Sequence, residues 1–544
     1  MRKRLLSVLL CAAMAVSMMA GCGKTTTQTP EPTPGSNQEA EANNGSQTTE
    51  TVEKATYPLV DKPITLKAVY VGINPSDKNT RLVWDRVAEV TGITLEWEVI
   101  AEEALPTYLA GGEWPDVFFG TIKDNLIYDY GVLGGRFVDY SKKLNIMPNL
   151  VETMEDYPLV KKASTLVSGH IFKIARVDKC VTSTQVRPHT NTDALKNAGV
   201  EMPTTVAEFE QALKDLKAYY GVPSFIPKLN TYKTAWAPML YAAFGTGCDM
   251  QWDADDQEKV YFPGMSEQMR RYYTWMNSLY EQGLIHPEVA TIDSTAAKQL
   301  DLSGTVAFMD YGGTSLGANE AGEYPVTALA PLTSEYDSTQ EILGAPGVSM
   351  GPAFLINAKS KYVDELCKLL DIAYAKEEVV EGSGLYGISF GYGMENEQWK
   401  FNEDGITYSY ILPEGYDNYT TFQKAEIIWN NQHFGREDAF DGLVTDTPGN
   451  AQSRQLGYEA NINPYLQKDP FPTTFLSFTE DQQYVIDNKW SEIDVYVRKM
   501  QVEFITGVTD IETGWDEYCD TLVKMGINDV IAVYQEAYDS FRSR

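Results

Sequence analysis

Three stretches of the chain carry the residue types of a reactive site. Gly347-Val348-Ser349-Met350-Gly351 has the spacing of a nucleophile elbow, in which a strained strand-to-helix turn lifts a serine towards a histidine. That turn needs a helix after the serine, and Pro352 with the apolar run 354–357 predicts a strand there instead. Gly382-Ser383-Gly384-Leu385-Tyr386-Gly387 has the glycines of a dinucleotide loop. Such a loop must leave a strand and open a helix, whereas this one follows a helical pattern, so the glycines read as a helix stop. Asp253-Ala254-Asp255-Asp256-Gln257-Glu258 has calcium-like carboxylate density but lacks the glycine at position six and the glutamate at twelve of a calcium loop. It reads as a solvated acidic turn. The four histidines, His170, His189, His286 and His433, include no two at metal-ligand spacing, so no metal and no cofactor is expected. With 76 acidic residues, two carboxylates at a glycosidase separation of about 5 to 10 Å can arise by accident, which leaves that chemistry open without indicating it.

The elements available to position a site alternate from the start of the folded body. Residues 64–71 are β-branched and alternating, and a helical stretch with Val83, Val87 and Val90 on one face follows. Thr91-Gly92 stops that helix, and residues 93–100 read as the next strand. A short helix over 104–110 leads to the compact apolar strand 116–119. Two crossovers this close together favour a mostly parallel sheet covered by helices. Further on, Thr204 or Thr205 can cap a helix carrying Phe209, Leu213 and Leu216. Residues 265–281 and 361–380 read as helices, 306–309 and 354–357 as strands. The last 160 or so residues have weaker periodicity, and no internal repeat is present.

The chain has 544 residues and a formal charge of −32, a surface that repels phosphate backbones and makes nucleic acid an unexpected partner. Arg2, Lys3 and Arg4 precede an apolar run that ends in Met19-Ala20-Gly21-Cys22, the pattern of a bacterial lipoprotein signal over residues 1–22. Residues 23–56, rich in Thr, Pro, Glu and Asn, bury too little surface to offset ordering and read as a tether with a reach on the order of 30 Å. Beyond Cys11 and Cys22, the scattered Cys180, Cys248, Cys367 and Cys519 form no C-x-x-C pair and are expected as buried free thiols, with a disulfide still possible.

Several motifs resemble those of the large solute-binding lipoproteins of carbohydrate ABC importers, the extracellular solute-binding family 1. Gly112-Glu113-Trp114-Pro115-Asp116-Val117 is similar to their G-x-x-P-D-V strand. The segment Asn191-Thr192-Asp193-Ala194-Leu195, Gly199 and Pro203-Thr204-Thr205 through Glu208-Phe209 is similar to their N-x-D-x-L…G…P-x-T-x-x-E-F. Gly283-Leu284-Ile285-His286-Pro287-Glu288 resembles G-L-I-D-P-E with His286 for aspartate, and Gly304-Thr305-Val306-Ala307-Phe308-Met309 resembles G-x-x-A-x-M. Where many large members carry an acidic calcium-like loop, residues 221–226 are short and uncharged, so that metal is not carried over.

The resemblance implies an α/β, two-lobed periplasmic-binding-protein-like fold of class II with the ligand in the cleft between lobes. The expected division is 57–179 plus 334–380 for one lobe and 180–333 plus 381–544 for the other. It implies a monomeric receptor, not an enzyme, anchored by acyl chains on Cys22 at the outer face of the membrane. That receptor would close on a carbohydrate and deliver it to permease subunits. A surface-anchored glycoside hydrolase or lyase, or a peptide receptor on the same scaffold, are the competing readings. Because ligands of open α/β sheets sit beyond the carboxyl ends of the strands, Asn74, Asp77, Thr121, Asp124 and Tyr311 are the expected polar contacts. Arg187, Trp236, Tyr386 and Trp429 are the expected donors and ring platforms for a sugar, although each tryptophan is as readily accounted for by core packing.

Overall fold

The computed structural model describes residues 54–544 except 77, 178–188, 228–235, 254–255, 310–317, 323, 342–346, 404–406, 430–431, 439–443, 446–460 and 467–470. The expected crossovers form as read: β1 (Ile64–Val71), α1 (Leu82–Thr91), β2 (Ile93–Ile100) and β3 (Val117–Gly120). Both β2 and β3 pair parallel to β1. Gly92 ends α1 in the left-handed conformation, its N–H bonded to the Ala88 carbonyl.

Four more strands belong to the second half and to the return path. They are β4 (Ala175–Val177), β5 (His189–Asn191), β6 (Phe308–Met309) and β7 (Val326–Ala328). β8 (Val348–Met350) and β9 (Ala353–Ile356) come back towards the first sheet. β9 adds antiparallel to β3, Gly120 opposite Ala353, which gives the order β9-β3-β1-β2. A second sheet has the order β6-β5-β7. It is covered by α2 (Val206–Tyr220), capped by Thr205 with Glu208 closing the capping box and packed through Phe209 on Phe308; α3 (Glu267–Glu281), capped by Ser266, meets α2 through Trp275.

The helix expected over 361–380 is shorter. α4 (Val363–Asp371) passes into a single 3₁₀ turn and stops, because the carbonyls of Ala373 and Ala375 accept from the backbone N–H groups of Arg436 and Gly387. The weakly periodic C-terminal region holds three long helices that periodicity did not reveal, α5 (Ser491–Thr506), α6 (Ile511–Met525) and α7 (Ile527–Arg542). Phe504 and Tyr518 of this group pack on Tyr273 and Gly264.

Three segments cross between the two halves, and they lie side by side. β4 leads out of the first half, and β8 returns to it, pairing antiparallel with β4. The third, residues 434–437, runs along the other edge of β4. The Val177 N–H donates to the Gly435 carbonyl at 3.0 Å and the Glu437 N–H to the Val177 carbonyl at 3.0 Å. Three aromatic residues from this later part of the chain pack on the first half: Trp429 stacks on Tyr70, and Phe390 and Phe434 meet Trp84 of α1. The resemblance had implied residues 381–544 for the second lobe, and these three side chains lie on the first sheet. These aromatic residues gave no helical or strand period, and what they cover is the open face of the first sheet.

Candidate functional site at the carboxyl end of the first sheet

Where β1 and β3 end, the chain turns out of the sheet at Gly72 and Gly120. Gly120 has φ +125°, and a Cβ there would sit 2.2 Å from the Val71 carbonyl oxygen, so only glycine lets the two strand ends close up. Two clusters build on this edge. In the first, Asn74 organises the loop after β1: its Oδ1 accepts from the Ser76 N–H at 3.2 Å and from Arg81 Nη2 at 2.7 Å, and its Nδ2 donates to the Lys78 carbonyl at 3.0 Å. Arg81 is buried, donates also to the carbonyls of Lys78 and Thr80, and lies 4.9 Å over the Trp429 ring. Burial pulls its guanidinium down to about 10, with Glu426 acting in the opposite sense. Asn74 and Arg81 thus fix the loop to the stretch that carries Trp429.

The second cluster lies on the crossings. Thr121 is exposed, and its hydroxyl accepts from Gln432 Nε2 at 3.4 Å. The next residue, His433, bonds through Nδ1 to Glu437 Oε1 at 2.8 Å. Arg176 of β4 donates from Nη1 to Glu437 Oε2 at 3.2 Å and from Nε to Ser349 Oγ of β8 at 2.8 Å. Glu437 is 3% exposed, its carboxylate holds Arg176 of the first crossing beside His433, and Arg176 in turn reaches Ser349 of the second. Below it Arg436 is buried against Asp156 at 2.8 Å and Asp438 at 2.7 Å, which pins the third crossing to the helix Pro148–Asp156. Asp124 stands exposed near the approach to the first crossing, 3.5 Å from Lys173.

Of the expected ligand contacts, Asn74, Thr121 and Asp124 do lie at this edge. Asp77, Arg187 and Tyr311, with the lipidation site Cys22, fall outside the described residues. The ring platforms are differently placed. Trp236 is 1% exposed in the core of the second half, its ring among Phe209, Phe225 and Phe308 and its Nε1 donating to the Met309 carbonyl at 2.8 Å. Enclosed this way, Trp236 realises the core-packing alternative. Trp429 is also 1% exposed, stacked on Tyr70 with ring centroids 4.5 Å apart, beneath the edge and not on it. Tyr386 is buried with Ile388, Trp399 and Tyr408, its hydroxyl turned to Glu395; burial first, and then the nearby carboxylates, push it well above its ordinary range.

The residues that sequence reasoning passed over are His433, Glu437, Arg176 and Ser349. A signal existed in Gln432-His433-Phe434-Gly435-Arg436-Glu437-Asp438, six polar or glycine positions around one buried phenylalanine. Ser349 belongs to the rejected nucleophile elbow, and the structure agrees with the rejection: β8 is followed by β9, with no helix. Ser349 instead serves the crossing.

Among the described residues no three His, Cys, Asp or Glu side chains are arranged to hold a metal ion, no helix is long and apolar enough to cross a membrane, and Cys367 and Cys519 are free. A concavity of about 420 Å³ beside the last turn of α1 is lined by Tyr57, Arg86, Glu89, Ser383 and Glu397. It sits at the amino ends of the strands, and Arg86 fills it with bonds to Glu89, Glu397 and the Ser383 carbonyl.

No protein-family model matches the chain. Over 99% of its length it is 24% identical to the fructooligosaccharide ABC transporter substrate-binding protein FusA of Streptococcus pneumoniae, covering 98% of that protein. From end to end the chain is similar to a solute-binding protein of a carbohydrate ABC importer. In three dimensions an extracellular solute-binding protein from Bifidobacterium longum subsp. infantis superposes over 88% of this chain and 98% of its own, with a TM-score of 0.69 at 19% identity. FusA in complex with kestose superposes over 88% and 100%, with a TM-score of 0.65 at 20% identity. The resemblance drawn from the motifs is borne out, and so is the two-lobed α/β fold with its cleft between the lobes. The relative matched over 99% of this chain is a transporter's substrate-binding protein and not an enzyme.

Proposed function

We propose that the chain captures an oligosaccharide between its lobes and passes it to an ABC permease, held at the outer face of the membrane by an acylated Cys22. The observation that carries the reading is the likeness to a fructooligosaccharide-binding protein from end to end, not over one motif or one lobe. The crossing geometry supports it. Three adjacent strands leave the lobes free to pivot, and the ends of β1 and β3 offer hydroxyl and amide groups of the kind that recognise sugars. Anchoring rests on the arginine-rich leader and Gly21-Cys22. The lobes are proposed as residues 57–177 with 348–438, and 189–341 with 461–544.

The test is to titrate purified residues 57–544 with kestose, nystose, milk oligosaccharides and alginate oligomers, following melting temperature and chromatographing the sugars. A thermal shift with intact sugar is the expected result. A released product would make the protein an enzyme, and a shift with peptides alone would make it a peptide receptor.

A further inference from the structure

The crossings have two faces, and the two halves touch behind one of them. Successive side chains of a strand point to opposite sides of its sheet, so Arg176 of β4 and Ser349 of β8, which are paired and bonded at 2.8 Å, share one side, and Ala175, Val177 and Val348 share the other. The Arg176 side carries Glu437 and His433, next to the Gln432 that reaches Thr121, and so looks towards the carboxyl end of the first sheet. The opposite side is apolar. The helix Pro158–Ser164 packs there, with Val160 buried and Ser164 Oγ accepting from the Ala175 N–H at 2.9 Å, and so does the turn Thr473–Phe475.

On this back side the end of α7 meets the first half. α7 itself is fastened to the second half: Gln535 Oε1 accepts from the Val260 N–H at 2.7 Å, the Tyr538 hydroxyl donates to the Gln257 carbonyl at 3.2 Å, and Arg542 pairs with Glu258 at 3.0 Å. Just beyond the helix, Arg544 donates from Nη1 to the Thr165 carbonyl and from Nη2 to Ser477 Oγ at 2.8 Å. Lys162 Nζ stands 5.7 Å from the centre of the Phe541 ring. Thr165 is fixed to the first half, bridging to Ile171, whose carbonyl accepts from the Tyr140 N–H at 2.7 Å. The acceptors of Arg544 among the described residues are all neutral, so water can replace them when the two sides part.

We propose that Arg544 and Lys162 form a stay behind the hinge that opposes closure of the cleft. When two bodies pivot on the crossings, narrowing the Arg176 side separates the Ala175 side, so closing on a sugar draws Arg544 away from Thr165 and Phe541 away from Lys162. Part of the binding free energy goes into that release, and affinity is held below what the contacts in the cleft alone would give. Neither residue touches the sugar. The stay rests on the reading of the protein as a two-lobed sugar receptor.

The experiment is calorimetric titration of kestose, or of whichever panel sugar binds best, into the wild type, Arg544→Ala, Lys162→Ala and the double variant. Arg544→Ala is expected to bind about threefold tighter or more, and the double variant tighter still. A residue that only holds the fold together leaves affinity alone or weakens it when removed, so a smaller gain in Arg544→Ala, no change or weaker binding overturns the stay. Should Arg544→Ala fail to fold, Lys162→Ala decides: binding tighter by about 1.5-fold or more supports the stay, and anything less overturns it. Absence of wild-type binding to every sugar sinks the receptor reading and the stay with it, an outcome distinct from a wild type that binds and variants that bind no better.

Discussion

At the scale of single residues, a tryptophan's neighbours tell more than its type. Trp236 and Trp429 have the chemistry of a sugar platform, yet both rings are enclosed by other aromatic groups. The consequence is measurable: Trp236→Ala should lose about 3 to 5 kcal/mol of stability in urea while Trp236→Phe loses far less, and sugar affinity per folded molecule should be unchanged in both. A specific loss of affinity in Trp236→Phe, with its melting temperature kept, would return that ring to the site. Asn74 and Thr121 were legible from the sequence because strand ends and turn residues can be read locally. The partnership of Arg176, Ser349 and Glu437 was not, since it depends on segments far apart in the chain meeting at one point.

At the scale of elements, α4 ends on a carboxylate that stabilises a different helix. Asp371 is buried and accepts from the backbone N–H groups of Asn149 and Leu150 and from Asn149 Nδ2, where the helix Pro148–Asp156 begins. Burial raises it to about 7, more strongly than those donors hold it down; Tyr57 and Tyr374 are the titratable groups that feel its charge. A native pKa above the unfolded value means the folded state keeps a proton that the unfolded chain releases near pH 4. The stabilisation is therefore complete below about pH 4 and is lost as pH rises through about 7. Melting should accordingly rise between pH 8 and pH 5.5, and Asp371→Asn should shrink that rise. An unaltered pH dependence in the variant would show that Asp371 does not titrate in this window. The elements at the start of the body were readable because each buries one face in a regular period. α4 was read too long because its stop is set by Arg436 and Gly387, partners that no local pattern announces. The helices α5 to α7 were missed in a stretch where polar and aromatic residues share the buried face, Gln501 and Tyr518 among them.

At the scale of the whole molecule, the two halves are joined by three paired strands with no fourth connection among the described residues, an arrangement suited to a hinge. Sugar binding should therefore contract the particle: the radius of gyration from solution scattering is expected to fall on adding kestose, together with a rise in melting temperature that grows with sugar concentration. At a hundredfold excess over Kd the stabilisation should approach about 2.7 kcal/mol. Binding without contraction would mean that the cleft does not close. The resemblance implied a division with 381–544 in the second lobe; what no local pattern announced is that Trp429, Phe390 and Phe434 return to cover a sheet begun some three hundred residues earlier.

The placement of β9 beside β3 has a consequence for biogenesis. Gly120 and Ala353 are neighbours in the finished sheet, yet β4 to β8 are encoded between them. A nascent chain emerging from the ribosome has β1 to β3 early but must wait for the edge strand and the aromatic cover that follows, so it stays loosely collapsed while synthesis continues. That delay would keep the chain threadable through a translocon, as the export proposed from residues 1–22 requires.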